Sequence, residues 1–475
     1  MSKLPLIEGV LKYLKENNIN FAMPGHKNGE GFSTTIEGKE FIDNLIHFDI
    51  TEVDGVDNLH NAEGIIKESS KLLSQLYGSE KSYFLVNGST SGNMIMIFSS
   101  FEEGDKVIID RNCHKSIFNG IIMRKLKPIY IENIIDEKFN APFSINMEHF
   151  FQCIKENSDA KGIILTYPNY YGVCCSLDRI IKEAKKYNMK VLIDSAHGAH
   201  FGINPNLPES AVKLGADMVV MSSHKTLPSF TQTAFLHVNK KEDIEKVDFY
   251  FSSFSSTSPS YLFLCSMDYA RYYLSEFGYE DYDKLINVME KYKHKINEIE
   301  GINIIDKNYV KSKYGYDLDS TRYVLSLNKG YNSNLLLAYL RKNKIQCEMS
   351  DTFNCILIFS PFNSEEQFKH LYEVLKKCNL LEFKDKTIDL INHHIPKSII
   401  APYQALNMKK KKIKLSKSIG SICGENIIPY PPGIPVIMMG ELIDKEVVDM
   451  LKYYKEHGLD IIGLHGEEIN IIEND

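Results

Sequence analysis

The residues best suited to carry out chemistry are a lysine and an aspartate. Each stands at or just after the end of an apolar run typical of a β-strand. Lys225 follows DMVVM in the string SSHK, and Asp194 ends the run KVLID, 31 residues earlier. Ligands of open α/β sheets bind beyond the carboxyl ends of the strands. A carboxylate there can keep a pyridine nitrogen protonated, and a lysine amine can form an imine with an aldehyde on the same ring. Together the two residues predict that the chain binds pyridoxal 5'-phosphate (PLP), although a lysine at a strand end is by itself usually a surface residue.

The phosphate of such a cofactor needs its own site, and the string GSTSG offers one. Ser89, Thr90 and Ser91 precede an apolar run that can form a helix. Small hydroxyl residues at a helix N-terminus supply donors and a favourable dipole for an anion. Serine and threonine are also ordinary N-cap residues. This string therefore supports a phosphate site only in combination with Lys225 and Asp194.

Histidines in the neighbouring segments are further candidates. His114 follows the run KVIID and could stack on a flat cofactor ring, although a lone histidine is more often a surface or hydrogen-bonded residue. His197 and His200 form an HxxH pair, which raises the alternative of a metal hydrolase. A catalytic zinc site typically has three protein ligands, and no further ligand motif accompanies this pair, so we predict no metal site.

The elements that must position these residues follow an alternating pattern between residues about 80 and 240. Short β-branched runs alternate with amphipathic segments, which is typical of a buried and largely parallel sheet. The run DRIIKEAKKYN predicts a crossover helix at 178–188, because its apolar residues recur among lysines. The predicted strands are 106–110, 162–167, 190–197, 217–222 and 234–238.

The rest of the chain predicts smaller units around this α/β domain. After residue 285 a charged helix, the extended run TRYVLSLN, a helix, the strand CILIFSP and another helix follow in turn. The lysine run Lys409–Lys412 is interpreted as a solvated face or loop. The predicted parts are an N-terminal helix or arm at 1–45, a large PLP-binding domain at 46–285, a small α/β domain at 286–385 and a C-terminal domain at 386–475.

Composition excludes several classes of protein. The 475 residues are 43% hydrophobic and 25% charged, as in ordinary globular proteins. A net charge of -7 argues against nucleic-acid binding, which needs a clustered basic surface. No run approaches the roughly 20 apolar residues that span a bilayer, and the N-terminal residues do not resemble a signal peptide. The nine cysteines include no CxxC pair, so we expect a reduced, cytoplasmic protein in which Cys174 and Cys175 are packing residues.

Nine strings, taken in order, resemble the ornithine/lysine/arginine decarboxylase family of fold-type I PLP enzymes, and the short bacterial members in particular. The likeness runs from about residue 20 to 445. It implies an aminotransferase-like large domain with a mostly parallel sheet, and a homodimer or higher homo-oligomer with shared active sites. The strings are PGHKNG, DITEVDGVDNLHNAEG, NGSTSGN, DRNCHKS, LTYPNYYGV, DSAHGAHFG, SSHKTLP, SSTSPSYL and PYPPGIPV.

The resemblance also implies roles for individual residues. Lys225 holds the cofactor as an imine, Asp194 contacts the pyridine nitrogen and His114 stacks on the ring. Lys225, His224 or His114 could return the proton to the substrate carbon, and the sequence leaves this choice open. The remaining implied cofactor contacts are Ala196 and His197 near the ring, Ser89, Thr90, Ser91, Ser222 and His224 at the phosphate, and Thr257 at the phosphate across a dimer interface.

The implied activity is decarboxylation of arginine, lysine or ornithine to CO2 and agmatine, cadaverine or putrescine. A cationic side chain needs an acid in the pocket, and any one candidate could instead be a loop or capping carboxylate. An aminotransferase, a lyase and an inactive family member remain alternatives, as do polyamine synthesis and acid resistance as roles. Two departures, Cys423 and Met439 near PYPPGIPV, put substrate details in doubt. The candidate acids are Glu52, Asp54, Asp57, Glu425 and Glu441.

Overall fold

The computed structural model describes residues 3–391, 394–430 and 433–473, so Pro431 and Pro432 of the proline-rich string lie outside the described residues. A seven-stranded sheet forms its centre. The strand Ala234–Val238 is antiparallel to both of its neighbours, and the other neighbouring strands are parallel. The spatial order is Lys81–Leu85, Ala234–Val238, Met218–Met221, Lys190–Asp194, Gly162–Thr166, Lys106–Asp110 and Lys127–Ile131.

The strands form where short β-branched runs are buried on both faces. In Lys106–Asp110 every residue after the lysine is buried, as parallel strands covered by helices require. The strand predicted at 190–197 ends earlier, at Asp194, because the Asp194 side chain accepts the Ala196 backbone N–H at 3.1 Å and turns the chain. All five predicted strands are present, with ends shifted by a few residues at most.

Helices cover the large sheet. The predicted crossover helix is Leu177–Lys186, which buries Ile180, Ile181 and Ala184 against the sheet and leaves its lysines in solvent. The other helices around this sheet are Ile65–Tyr77, Gly88–Ser100, Lys115–Met123, Met147–Glu156, Ser223–Thr226, Ile244–Phe254 and Tyr261–Glu276.

A second, antiparallel sheet follows in the chain. Its four strands lie in the order Ile302–Ile304, Arg322–Leu327, Asn354–Ile358 and Met349–Ser350. The N-terminal segment joins this region, because Ile19–Phe21 pairs in parallel with Ile345–Cys347. The helices of these two regions are Pro5–Leu14, Glu30–Ser33, Ile36–Asp43, Gly278–Asn297, Lys307–Tyr314, Ser333–Lys342 and Glu365–Lys377.

The C-terminal region has its own apolar core, which includes Val447, Leu451 and Ile469. The lysine run is solvated, as predicted, but it belongs to an edge strand, Lys410–Lys414, rather than to a loop. Ile413 pairs with Ile469 and fixes the strand, and lysines are common on exposed sheet edges because they prevent further pairing. The other elements are Pro402–Asn407, Lys445–Glu456, Ile428–Tyr430, Asp460–Ile462, Leu464–His465 and Glu468–Ile472.

The architecture confirms an α/β fold with a mostly parallel central sheet and a smaller α/β unit. The residue boundaries of the four parts stay a prediction. For the site, the important consequence is that the strands ending at Asp110, Thr166, Asp194 and Met221 bring their carboxyl ends to one edge.

Candidate active site

A cavity of about 530 Å³ lies at this edge of the large sheet. Its walls come from strand ends, from the start of the helix Gly88–Ser100, from the second sheet and from the C-terminal region. Six residues singled out by the sequence line it: Ser89, His114, Asp194, Ala196, His197 and Lys225. The other lining residues are Asn112, Cys113, Lys115, Thr166, Asn169, Tyr170, Tyr171, Glu348, Met349, Tyr430 and Gly433.

Lys225 lies against a histidine in this cavity. Its Nζ is 3.1 Å from His197 Nε2. Burial lowers the pKa of the Lys225 amine, and the carboxylates of Asp194 and Glu348 partly oppose this shift. Burial and the Lys225 charge hold the pKa of His197 well below its ordinary value, so its imidazole is neutral and its Nε2 can accept a hydrogen bond from the amine.

Asp194 is locked in place by two donors. Its Oδ2 accepts a hydrogen bond from Asn93 Nδ2 at 2.8 Å, and its Oδ1 accepts from the Ala196 backbone N–H at 3.1 Å. Asn93 Nδ2 is also 2.8 Å from Ser116 Oγ, which is 2.7 Å from His114 Nδ1. One hydrogen-bonded chain therefore fixes both the carboxylate and the imidazole that the sequence assigns to the cofactor ring.

The first turn of the helix Gly88–Ser100 carries the hydroxyl groups predicted for the phosphate. Ser222 donates its hydroxyl to Ser89 Oγ at 3.0 Å, so the end of the strand Met218–Met221 meets the start of the helix here. Ser91 donates to the Gly88 carbonyl at 2.8 Å, and Thr90 is exposed. The predicted helix N-terminus is present, while the phosphate contacts themselves stay predictions.

The short helix Ser223–Thr226 that carries Lys225 is tied to the following loop. Ser223 Oγ donates to Thr233 Oγ1 at 2.7 Å, and His224 Nδ1 donates to the Thr233 carbonyl at 2.8 Å. Burial lowers the pKa of His224, so its ring is neutral and its Nε2 remains an acceptor. These bonds hold the backbone on both sides of Lys225.

The acids predicted for the substrate lie outside the lining of this cavity. Glu441 is buried and both of its oxygens are bound by Arg111, at 2.6 and 2.9 Å. Glu425 Oε1 accepts from Asn470 Nδ2 at 2.7 Å, and Asp54 is exposed. Glu441 is therefore a structural ion pair in this chain, because its charge is already compensated.

Asp57 also has a structural role. Its carboxylate accepts backbone N–H groups of Glu63, Gly64 and Ile66 at 2.9 to 3.0 Å, where the helix Ile65–Tyr77 begins. Glu52 and Thr257 do not line the cavity either, and Thr257 is exposed. Within one chain, none of the five predicted substrate acids faces the cavity.

The sequence analysis did not single out two residues of the site: Asn93, which binds Asp194, and Glu348, which lines the cavity. Asn93 lies one helical turn after Ser89, and this i, i+4 spacing could have placed it on the same face. Glu348 follows the strand Ile345–Cys347 and has no motif to single it out. Only the packing of the second sheet against the large one brings Glu348 to the cavity.

Arginine is absent from the cavity lining, as far as the described residues define it. Arg322 contacts a residue of the cavity lining, Tyr170, without lining the cavity itself. Its Nε and Nη2 donate to Asp319 Oδ2 at 3.0 and 2.6 Å. Its Nη1 donates to the Tyr170 carbonyl at 2.9 Å. The guanidinium is therefore held by Asp319, which compensates its charge, and by the Tyr170 carbonyl, so it is not placed as a free clamp for a substrate carboxylate.

The HxxH pair does not form a metal centre in the part of the chain described here. His200 Nε2 lies 3.1 Å from Asp319 Oδ1, and its ring stacks on Tyr282, while His197 faces Lys225. Across residues 3–391, 394–430 and 433–473, no group of three or more His, Cys, Asp or Glu could hold a metal ion. In the same residues, no helix has both the length and the apolar character needed to cross a bilayer.

Comparison with known proteins identifies the family. Residues 4–328 match "Orn/Lys/Arg decarboxylase, major domain" and residues 388–467 match "Orn/Lys/Arg decarboxylase, C-terminal domain". The chain is 34% identical to protein YaaO of Bacillus subtilis (strain 168), over 94% of this chain and 93% of the relative. It is 31% identical to the arginine decarboxylase of the same organism, over 98% and 97% of the two chains.

A solved structure agrees in fold. The Francisella novicida lysine decarboxylase superposes with a TM-score of 0.79 at 22% identity, over 99% of this chain and 81% of the other. The matched residues of the major domain include Lys225, Asp194, Asn93 and the whole of the large sheet. The chain therefore belongs to the Orn/Lys/Arg decarboxylase family.

Proposed function

We propose that this chain is a PLP-dependent amino-acid decarboxylase that acts on arginine. The observation that carries the proposal is one cavity that contains Lys225, Asp194 and a further carboxylate, Glu348. No arginine is among the described residues that line it. Membership of the family supports decarboxylation of a basic amino acid. Relatives named arginine decarboxylase, at 30 to 31% identity over nearly the whole chain, support arginine in particular.

The cavity fits PLP by its size and by its unpaired polar atoms. A volume of about 530 Å³ is in the range of cofactor and small-molecule sites. Thr166 Oγ1 and His197 Nδ1 are buried and have no hydrogen-bond partner among the described residues. Buried polar atoms normally have partners, so these two support a bound polar ligand.

The residues proposed to hold PLP divide between its two ends. Lys225 would bind it covalently, Asp194 would face the pyridine nitrogen and His114 would lie on the ring. Ser89 and Ser222 would donate to the phosphate at the N-terminus of the helix Gly88–Ser100. Thr90, Ser91, His224, Ala196 and His197 complete the proposed contacts.

When bound, PLP supplies an electron sink for the pair released as the bond between Cα and the carboxylate breaks. Asn93 and the Ala196 N–H hold Asp194 in the orientation that keeps the ring nitrogen protonated. The neutral His197 Nε2 lies where it can accept a hydrogen bond from the Lys225 amine and orient it, while burial lowers the pKa of the amine and so favours its nucleophilic form. Lys225, with its lowered pKa, is also suited to return a proton to Cα.

The hydrogen bonds of Arg322 favour decarboxylation over transamination. Aminotransferases normally bind the α-carboxylate through an arginine, whereas this arginine is occupied by Asp319 and Tyr170. A carboxylate without a clamp can stand perpendicular to the ring and leave as CO2.

The deciding experiment measures products from arginine, lysine and ornithine with the PLP-loaded protein. We expect CO2 and agmatine from arginine, with kcat/KM at least about tenfold above the values for lysine and ornithine, a difference of about 1.4 kcal/mol. Formation of a keto acid in place of CO2, or no CO2 from any of the three, would reject the proposal. A higher kcat/KM for lysine or ornithine would reject arginine alone.

We further propose that two copies of the chain associate and that the protein works in the cytoplasm. Thr257 is exposed in one chain and outside its cavity, which suits a contact with a second copy. Apolar side chains such as Ile36, Ile46 and Phe249 are more than half exposed in the single chain. All nine cysteines are free thiols, which suits a reducing compartment. Light scattering should give the mass of two or more chains, and a monomer that retains full activity would contradict the association.

A further inference from the structure

The cavity contains a second carboxylate, Glu348, that forms no direct ion pair with a described residue. Glu348 lies between the strands Ile345–Cys347 and Met349–Ser350, and it lines the same cavity as Lys225. Among the described lining residues, Asp194 and Glu348 are the carboxylates. The proposed function reserves Asp194 for the pyridine nitrogen, so Glu348 is the lining carboxylate to which it assigns no partner.

Glu348 is positioned by two neutral donors. Its Oε1 accepts the Tyr170 hydroxyl at 2.5 Å, and its Oε2 accepts the Met23 backbone N–H at 3.0 Å. The Tyr170 ring is in turn packed edge-on against His197, with ring centroids 4.9 Å apart. The carboxylate is thus fixed beside the residues that contact Lys225.

These contacts leave room for a cation. Each carboxylate oxygen has two acceptor positions, and each oxygen of Glu348 uses one of them. Lys225 and the buried Lys27 are affected by the Glu348 charge, but among the described residues neither forms a direct ion pair with it. A partly buried carboxylate without a counter-charge gains most from a cationic partner, and a guanidinium can bind both oxygens at once.

We propose that Glu348 binds the cationic end of the substrate's side chain, an inference that rests on the proposed function. The substrate brings one positive charge remote from its reacting carbon, and Glu348 is the open acid in the cavity. The same charge disfavours the opposite orientation, because the α-carboxylate would then lie against Glu348. Glu348 therefore sets both the preference for basic amino acids and the direction in which they enter.

The test is Glu348→Gln, which conserves shape. The amide oxygen can still accept from Met23 N–H, and the amide NH2 can donate to the Tyr170 hydroxyl. We expect the KM for arginine to rise about 10- to 100-fold while kcat changes by less than about threefold. The preference for arginine over the neutral analogue citrulline should shrink by a similar factor. An unchanged KM would overturn the proposal, as would a fall in kcat alone.

Equilibrium binding of agmatine, measured by calorimetry on the PLP-loaded protein, separates the two ends of the substrate. Agmatine has the guanidinium but lacks the carboxylate, so its affinity should fall by the same factor in Glu348→Gln. If the arginine KM rises while agmatine affinity is unchanged, Glu348 senses the carboxylate end and the proposal is wrong. Glu366→Gln, on the exposed face of the helix Glu365–Lys377, is the matched control and should behave as wild type.

The wild-type protein in the same assays distinguishes this inference from the proposed function. A wild type that releases no CO2 from arginine, lysine or ornithine rejects the proposed function. An active wild type with an unaffected Glu348→Gln variant rejects only the role of Glu348. The absorbance of bound PLP in the variant should match that of the wild type, because Glu348 does not hold the cofactor in this proposal.

Discussion

At the scale of single residues, the site combines an amine and an imidazole whose burial shifts both towards neutrality. Lys225 Nζ and His197 Nε2 are 3.1 Å apart, and burial is the first cause of the lowered pKa of each. Two nearby charges of the same sign are disfavoured in a buried site, so the pair carries at most one positive charge. A lysine amine in this state is more nucleophilic than a solvated one.

The first prediction concerns Lys225→Ala. Removal of the amine should abolish covalent attachment of PLP and lower turnover about 100-fold or more. Borohydride reduction followed by mass spectrometry of peptides should find a pyridoxyl group on Lys225 in the wild type and none in the variant. Lys182→Ala, an exposed lysine on the helix Leu177–Lys186, is the control. Steady-state decarboxylation by Lys225→Ala at the wild-type rate would contradict the assignment.

The second prediction concerns the pH dependence of stability at Asp110. Burial raises the pKa of this carboxyl to about 6 from an ordinary value of 3.8. Between these two values the folded protein binds a proton that the unfolded chain has lost, so stability falls as the pH rises from about 4 through about 6 and then levels off. Ionised Asp110 costs stability at neutral pH.

Asp110→Asn should remove this dependence. Its Oδ1 can still accept the Asn112 N–H and the Asn133 amide, which both bind Oδ1 in the wild type at 2.8 and 2.9 Å. The stability difference between variant and wild type should be larger at pH 7.5 than at pH 5, by about 1 to 2 kcal/mol. Thermal unfolding of both proteins at the two pH values measures this difference. The same stability difference at pH 5 and at pH 7.5 would contradict the prediction.

At the scale of elements, the helix Gly88–Ser100 serves both ends of the proposed cofactor. Its first turn carries Ser89, and Asn93 on the next turn holds Asp194. The helix approaches the sheet closely at Gly92, where a Cβ would lie 2.6 Å from Leu85 and 2.7 Å from Val220. Glycine is needed here so that Asn93 can reach the strand end.

The third prediction tests this helix through Asn93→Ala. Loss of a hydrogen bond to a charged group costs about 1.5 to 3 kcal/mol, so kcat should fall about 10- to 100-fold. The absorbance of bound PLP should also depend more strongly on pH, because Asp194 is less firmly oriented. Ser100→Ala, at the far end of the same helix, should retain wild-type kinetics. Normal kcat in Asn93→Ala would show that Asp194 needs no such support.

At the scale of the whole molecule, a buried ion pair joins the C-terminal region to the large sheet. Arg111 follows the strand Lys106–Asp110 and binds Glu441 through two hydrogen bonds. The guanidinium also donates to the Pro435 and Val436 carbonyls and lies over the Tyr130 ring at 4.6 Å. These contacts hold the segment that brings Tyr430 and Gly433 to the cavity.

The fourth prediction concerns Glu441→Gln. The change leaves Arg111 buried without a counter-charge, which should cost about 3 to 5 kcal/mol of stability. Thermal unfolding and the rate of proteolysis in the C-terminal region measure the effect. A double variant, Arg111→Met with Glu441→Met, should recover much of the loss because no charge remains buried. If Glu441→Gln unfolds at the wild-type temperature, the ion pair does not join the two regions.

Local sequence patterns were enough to predict the strands, the helix N-terminus at GSTSG and the residues at the strand ends. Lys225, Asp194 and His114 could be placed because parallel strands bring their carboxyl ends to one edge, whatever the details of packing. Local patterns also sufficed for the crossover helix Leu177–Lys186, whose apolar and charged faces repeat every three to four residues.

Which acid faces the cavity and which one forms a structural ion pair depends on long-range packing. Glu441 and Glu348 are both carboxylates in loops, and neither has a local pattern that distinguishes them. Glu441 meets Arg111 only because the C-terminal region packs against the large sheet. Glu348 reaches the cavity because tertiary packing brings it there between two short strands, Ile345–Cys347, which pairs with the N-terminal strand Ile19–Phe21, and Met349–Ser350 of the second sheet. Contacts between residues hundreds of positions apart depend on packing, and no local spacing in the sequence encodes them.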